Sequence, residues 1–177
     1  MENIDITVLR ALRDWRAAGQ RALLVTVVRT WGSSPRPVGS IMALCENGSV
    51  VGSVSGGCIE DDLIYRYARP GAADALPHEG VPQSVKYGVT ADEAHRFGLP
   101  CGGTLELLFE FNPDGASLAE LVQALEAGQL MARRVSLTDG QVSLIPADAP
   151  AELAINDTSL VNTFGPAYRM LIIGAGQ

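Results

Sequence analysis

This chain is expected to fold as α/β, with α+β as the alternative. Apolar runs of strand character recur between stretches of helical period, and turn-forming dipeptides separate them. An apolar share of 47% beside a charged share of 19% is that of a folded globular protein. The expected architecture is a mixed sheet with flanking helices, followed by the first strand of a second domain. The 177 residues suffice for one full hydrophobic core plus such a fragment.

The elements follow in order. Ile6, Leu9, Leu12 and Trp15 recur with a helical period that Gly19 closes as a C-terminal cap. Residues 21–30 are β-branched and almost continuously apolar, which reads as a buried strand. Turn chemistry over residues 31–39 (Trp-Gly-Ser-Ser-Pro-Arg-Pro-Val-Gly) ends it. Residues 40–45 and 49–54 form a hairpin about Asn47-Gly48. A helix is expected over residues 58–68, a loop to Pro82, a strand over 82–87, a short helix over 90–97 and a strand over 103–111. Residues 117–127 read as a helix with Ser117 as N-cap, Glu120 as its capping-box partner and Gly128 past its end. Another hairpin, 130–137 with 141–145, turns at Asp139-Gly140.

Residues 147–167 lack periodicity and read as a linker or covering loop between a first domain, 1–146, and the last ten residues. Over 168–176, Tyr-Arg-Met-Leu-Ile-Ile-Gly-Ala-Gly resembles the opening strand and first two glycines of a G-x-G-x-x-G dinucleotide-binding (Rossmann) domain, truncated at Gln177. The plainer reading is an edge strand.

Charge narrows the function classes. Twenty acids against thirteen bases leave a net charge of -7, and no basic run exceeds Arg133-Arg134, so neither nucleic acid nor an anionic membrane is an expected partner. The N-terminus lacks the basic and apolar regions of a secretory signal, and no run of about 18 apolar residues occurs. Three cysteines far apart suit a reducing compartment, and a cytoplasmic location is expected.

Two glycine-flanked cysteines stand out, Cys58 after Gly56-Gly57 and Cys101 before Gly102-Gly103. Adjacent glycines let backbone N–H groups converge on an anion or a flat ring. The amides of Ser55, Gly56 and Gly57 at a helix start are therefore expected to cradle an anion, with Arg36, stiffened between Pro35 and Pro37, as a guanidinium clamp. A thiolate at Cys58 or Cys101 would bind metal or attack sulfur; the alternative for each is a small residue packed beneath its turn. Cys45 alternates with Ile41 and Ala43 and reads as core. Glu60 reads either as a proton acceptor near Cys58 or as a carboxylate complementing the helix dipole. Trp31 offers a stacking surface, though a tryptophan at a strand end is more often core. His78 and His95 lack the spacing of a zinc site.

Four motifs in this order, residues 30–42, 52–60, 98–104 and 171–176, resemble the xanthine dehydrogenase accessory family of XdhC/CoxI type. The resemblance implies a molybdenum cofactor chaperone without turnover of its own. It would hold the matured molybdopterin-type cofactor and deliver it to an apo-molybdoenzyme such as xanthine dehydrogenase, in some members together with a cysteine desulfurase that supplies a sulfido ligand. It also implies that Cys58 and Cys101 serve as molybdenum ligands or a sulfur relay, and that the active unit is a homodimer. Two other classes stay open. One is an oxidoreductase or nucleotide-dependent transferase that uses NAD(P) or a nucleotide on a complete Rossmann domain; the other is a scaffold with both thiols buried.

Overall fold

The computed structural model describes residues 4–32, 34–69, 75–88 and 103–166. Helix α1 (Ile4–Ala17) presents Val8, Leu9 and Leu12 on one buried stripe. It ends where Gly19, at φ +76°, donates to the Arg16 carbonyl. Strand β1 (Ala22–Trp31) then crosses the middle of a five-stranded sheet, and its first seven residues are all buried. It pairs on one side with β2 (Ile41–Cys45) and on the other with β5 (Thr104–Phe111). Beyond them lie β3 (Val50–Gly52) and β4 (Gln83–Tyr87), in the order β3-β2-β1-β5-β4. The β2–β3 hairpin turns at Asn47-Gly48, with Gly48 at φ +89°.

Every pairing among the described residues is antiparallel, so α+β, the alternative, is the form found and the sheet is not mixed. The connections explain the difference. Helix α2 (Cys58–Tyr67) lies between strands at opposite edges of the sheet, β3 and β4. Helix α3 (Gly115–Glu126) carries the chain from β5 into a second sheet. Neither joins adjacent parallel strands as a βαβ helix does. No helix among the described residues is long and apolar enough to cross a membrane.

The second sheet has the order β7-β6-β9-β8, from β6 (Met131–Ser136), β7 (Val142–Pro146), β8 (Ala154–Ile155) and β9 (Ser159–Phe164). Residues 147–167, expected as a linker, therefore supply two strands. Strand β9 pairs with β6 from Ser159 opposite Ser136 to Phe164 opposite Met131. The fold extends past residue 146 because Leu160 and Phe164 are buried, together with Ser159 and Asn162, whose polarity masks the strand in the sequence. Residues 168–177, and with them the expected Rossmann strand, lie outside the described residues, as does the expected helix at 90–97.

Helix α3 starts earlier than expected. Asp114 is the N-cap, and its carboxylate accepts from the Ser117 amide at 2.7 Å while the Ser117 hydroxyl donates to the Asp114 carbonyl. With Asp114 capping the Ser117 amide, the helix begins a turn's fraction earlier and Ser117 falls inside its first turn instead of capping it.

Strand β1 divides the core. Leu105, Leu107 and Phe109 pack with Leu23, Val25 and Met42 against Ile59 and Leu63 of α2. On the other side, α1 and α3 bury Leu9, Leu12, Leu118 and Leu121 against Leu24 and Ala43. A register shift between Val27 and Arg29 interrupts the β1–β5 ladder, and Val28 joins Leu108, Val135 and Leu160 between the two sheets. Beside them Arg133 of β6 donates to both carboxylate oxygens of Glu110 on β5, at 2.9 and 2.7 Å, with both side chains almost fully buried.

Candidate functional site

The described parts of the first three sequence motifs meet at one end of the five-stranded sheet. Strand register places the end of β3 beside the start of β2, and the end of β1 beside the start of β5, with Trp31 opposite Thr104. Tyr87, which ends β4, is opposite Leu105. Gly32 touches Gly103: a Cβ on Gly32 would lie 3.3 Å from the Gly103 Cα, so the 31–39 turn lies against the start of β5. Gly103 is buried there. Cys101 and Gly102 lie outside the described residues, and so does any juxtaposition of the two thiols.

Gly52 opens the loop from β3 to α2. Its φ is +86°, and a Cβ would fall 2.4 Å from the Ile41 carbonyl oxygen and 2.6 Å from a Val8 methyl. Only glycine fits. Gly56 and Gly57 take φ of +97° and +143°, and among the described residues nothing stands within 4 Å of where their Cβ atoms would be. Cys58 follows as the first residue of α2, an exposed free thiol.

The amides expected to cradle a ligand's anion point at the chain's own carboxylate. Glu60 accepts from the backbone N–H of Val54 at 2.7 Å, of Ser55 at 2.9 Å and of Gly57 at 2.9 Å, and from the Ser53 hydroxyl at 2.8 Å. The Ser55 hydroxyl donates to its second oxygen. The Gly56 amide donates chiefly to the Ser53 hydroxyl, at 3.0 Å. Glu60 is thus the anion in its own nest, three residues past the N-cap Gly57, where a capping-box acid reaches back. Burial alone would raise its pKa; the donors from Ser55 and Ser53 more than reverse that and hold it down to about 2. So weak a base is a poor proton acceptor, which removes that reading of Glu60.

Arg36 is exposed on the neighbouring turn, and its Nε donates to the Ser53 hydroxyl at 3.3 Å. The Ser34 hydroxyl fixes the turn by donating to the Arg36 carbonyl at 2.7 Å. Arg36, Pro37, Gly52 and Ser53 line a cleft of about 420 Å³ together with Ile4 and Ile41. A larger cleft of about 670 Å³ lies at the opposite end of the sheet, around Phe111, Asn112 and His78, away from the Cys58 loop. Chemistry favours the smaller one. Trp31 is 45% exposed, so the core reading fails for it, and the Lys86 ammonium sits 5.4 Å from its ring centroid. Cys45 is fully buried, as expected of a core residue.

Sequence reasoning missed the Glu60 anchor, although Gly57-Cys58-Ile59-Glu60 has capping-box spacing. Ser53, which joins Glu60 to Arg36, carried no comparable signal.

A family model, that of the XdhC and CoxI family, matches residues 15–77, which take in strands β1 to β3, the 31–39 turn, the glycine loop and α2. Among individual relatives, the chain is 26% identical over 168 residues to the molybdenum cofactor insertion chaperone PaoD of Escherichia coli strain K12, covering 95% of this chain and 50% of that protein. It is 30% identical over 88 residues to a protein of Bacillus subtilis strain 168 described as a probable xanthine dehydrogenase subunit, covering 50% of this chain and 26% of that one. A crystal structure described as a xanthine dehydrogenase from Bacillus halodurans matches with a TM-score of 0.67 at 25% identity, covering 92% of this chain and 53% of that one. The chain thus spans about half the length of PaoD and of the crystallised protein, and about a quarter of the Bacillus subtilis protein.

Proposed function

We propose that this protein is a molybdenum cofactor chaperone serving an apo-molybdoenzyme of the xanthine dehydrogenase type. The observation that carries the reading is the match to an insertion chaperone over 95% of the chain, including the glycine-cysteine loop. The site is compatible with it. Cys58 offers an exposed soft ligand at a helix start, and Arg36 offers a bidentate donor for phosphate or molybdenum-bound oxygens on the same loop system. When bound, the cofactor would bring a molybdenum centre held by its dithiolene. The chain's part is to hold and orient it, with Cys58 and Arg36 as contacts and with Cys101, Gly102 and Gly103 as further candidates from the second motif. Ser55, Gly56 and Gly57 shape the loop rather than donate to the ligand. Delivery in sulfurated form with a cysteine desulfurase and a cytoplasmic homodimer belong to this proposal as extensions, whereas NAD(P) or nucleotide binding on a Rossmann domain belongs to the alternative of an oxidoreductase or transferase.

The test is retention of molybdenum cofactor by the purified protein, read as molybdenum content and as pterin fluorescence after oxidation. Wild type should retain cofactor, and Cys58→Ala or Cys101→Ala should retain markedly less. Equal retention by both variants would exclude the thiols as ligands. No retention by wild type would remove the chaperone reading.

A further inference from the structure

We propose that Glu60 is the positioning residue of this site: its carboxylate fixes the path of the 53–57 loop and, through Ser53, the aim of Arg36, so that Arg36 and Cys58 are presented in one geometry. The inference rests on the chaperone reading for the identity of the ligand and on the structure alone for the geometry.

Three observations carry it. The Glu60 carboxylate gathers the hydroxyls of Ser53 and Ser55 and the amides of Val54, Ser55 and Gly57, so it ties down nearly the whole connection between β3 and α2. Among the described residues, nothing lies within 4 Å of a Cβ at Gly56 or Gly57, so packing on that side of the turn does not fix it. Hydrogen bonds to one buried acceptor therefore set a backbone that glycine alone would leave free. Finally, the Ser53 hydroxyl donates to Glu60 while accepting from Arg36 Nε and from the Gly56 amide. One hydroxyl relays the position of the carboxylate to the guanidinium. Because the loop's amides are spent on Glu60, an anionic group of the ligand is met by Arg36, and the orientation of Arg36 depends on a residue that does not touch the ligand.

The test compares wild type with Glu60→Gln, Glu60→Asp and Ser53→Ala in two measurements, each made where circular dichroism shows the variant folded. The first is binding of molybdenum cofactor released from a molybdoenzyme. Glu60→Gln should bind about tenfold more weakly, as substitutions behind a ligating group commonly do, with part of the loss recovered in Glu60→Asp. The second needs no cofactor: alkylation of Cys58 by iodoacetamide, assigned to its peptide by mass spectrometry. Loosening the loop should speed alkylation about threefold in Glu60→Gln. A purely structural cap would lower the melting temperature while leaving both readings of the folded protein unchanged, and that result overturns the proposal. If wild type binds no cofactor, the chaperone reading falls and alkylation decides alone, a rate within about twofold of wild type going against positioning. If Glu60→Gln does not fold, Ser53→Ala decides by the same two criteria.

Discussion

Two buried carboxylates show two ways of keeping a charge inside this protein. Glu110 lies between the sheets and is neutralised by the Arg133 guanidinium in a bidentate pair, 5% and 3% exposed respectively. Glu60 lies under the glycine loop at 7% exposure and is held by amides and hydroxyls. The first joins residues 23 apart, from strands of different sheets, so it belongs to the architecture. The second joins residues at most seven apart, so it shapes one loop. Removing a partner from the first should unfold the protein, whereas altering the second should disturb the site first.

The largest effect is expected at the seam. Arg133→Met keeps the volume but strands the Glu110 charge, a change worth about 3–5 kcal/mol of stability in urea denaturation. Adding Glu110→Leu should recover most of it. A double variant as unstable as the single one would mean that packing by the Arg133 stem, not charge pairing, holds the sheets together. Next comes the backbone at the loop entrance. Gly52→Ala combines a positive φ with a Cβ 2.4 Å from the Ile41 oxygen. A loss of about 2–4 kcal/mol is expected, with cofactor retention falling at the same time because the loop shifts.

What was readable beforehand divides along the same line. Elements set by local periodicity or a turn dipeptide were legible: α1 from its apolar stripe, β1 from its β-branched run, the β2–β3 hairpin from Asn47-Gly48. Strand β9 was not, since Ser159 and Asn162 are buried on it and their polarity breaks the apolar pattern that would mark a strand, which only its pairing with β6 reveals. The division into two antiparallel sheets was hidden for a related reason. A near-continuous apolar strand such as β1 can be covered by helices on both faces or, as here, partly by another sheet. At the site, Cys58 and the glycines were visible as residue types. The donors' orientation was not, because motif spacing gives the number of amides in a loop and not the acceptor they face. Arg36 is tied to the glycine loop through Ser53, and the cradle turned out to be filled from within.

The loop carboxylate also has an acid response of its own. Glu60 has its pKa lowered from 4.5 to about 2 on folding, so its ionised form is the one the native state favours. Its contribution is complete above the unfolded value near 4.5 and disappears as pH falls through about 2, and it amounts to no more than about 3 kcal/mol. The stability difference between wild type and Glu60→Gln, followed by urea midpoints from about pH 6 to about pH 2, should therefore narrow as the pH drops. A difference that stays constant through that window would show that the carboxyl group contributes by shape and not by charge.

The smallest expected effect is the most informative about where function resides. Cys58 is exposed, begins α2, and has no part in the Glu60 network. Cys58→Ser changes one exposed atom, and the urea midpoint should move by less than about 0.5 kcal/mol in stability. Retention of the cofactor should nevertheless fall, because oxygen is a poor substitute for a soft thiolate toward molybdenum or sulfur. A stability loss above about 1.5 kcal/mol would instead make the thiol part of the helix start, and the loop built around Glu60 would then serve only to begin α2. An unchanged midpoint with lost retention would assign the two neighbours opposite duties, Glu60 holding the loop and Cys58 using it.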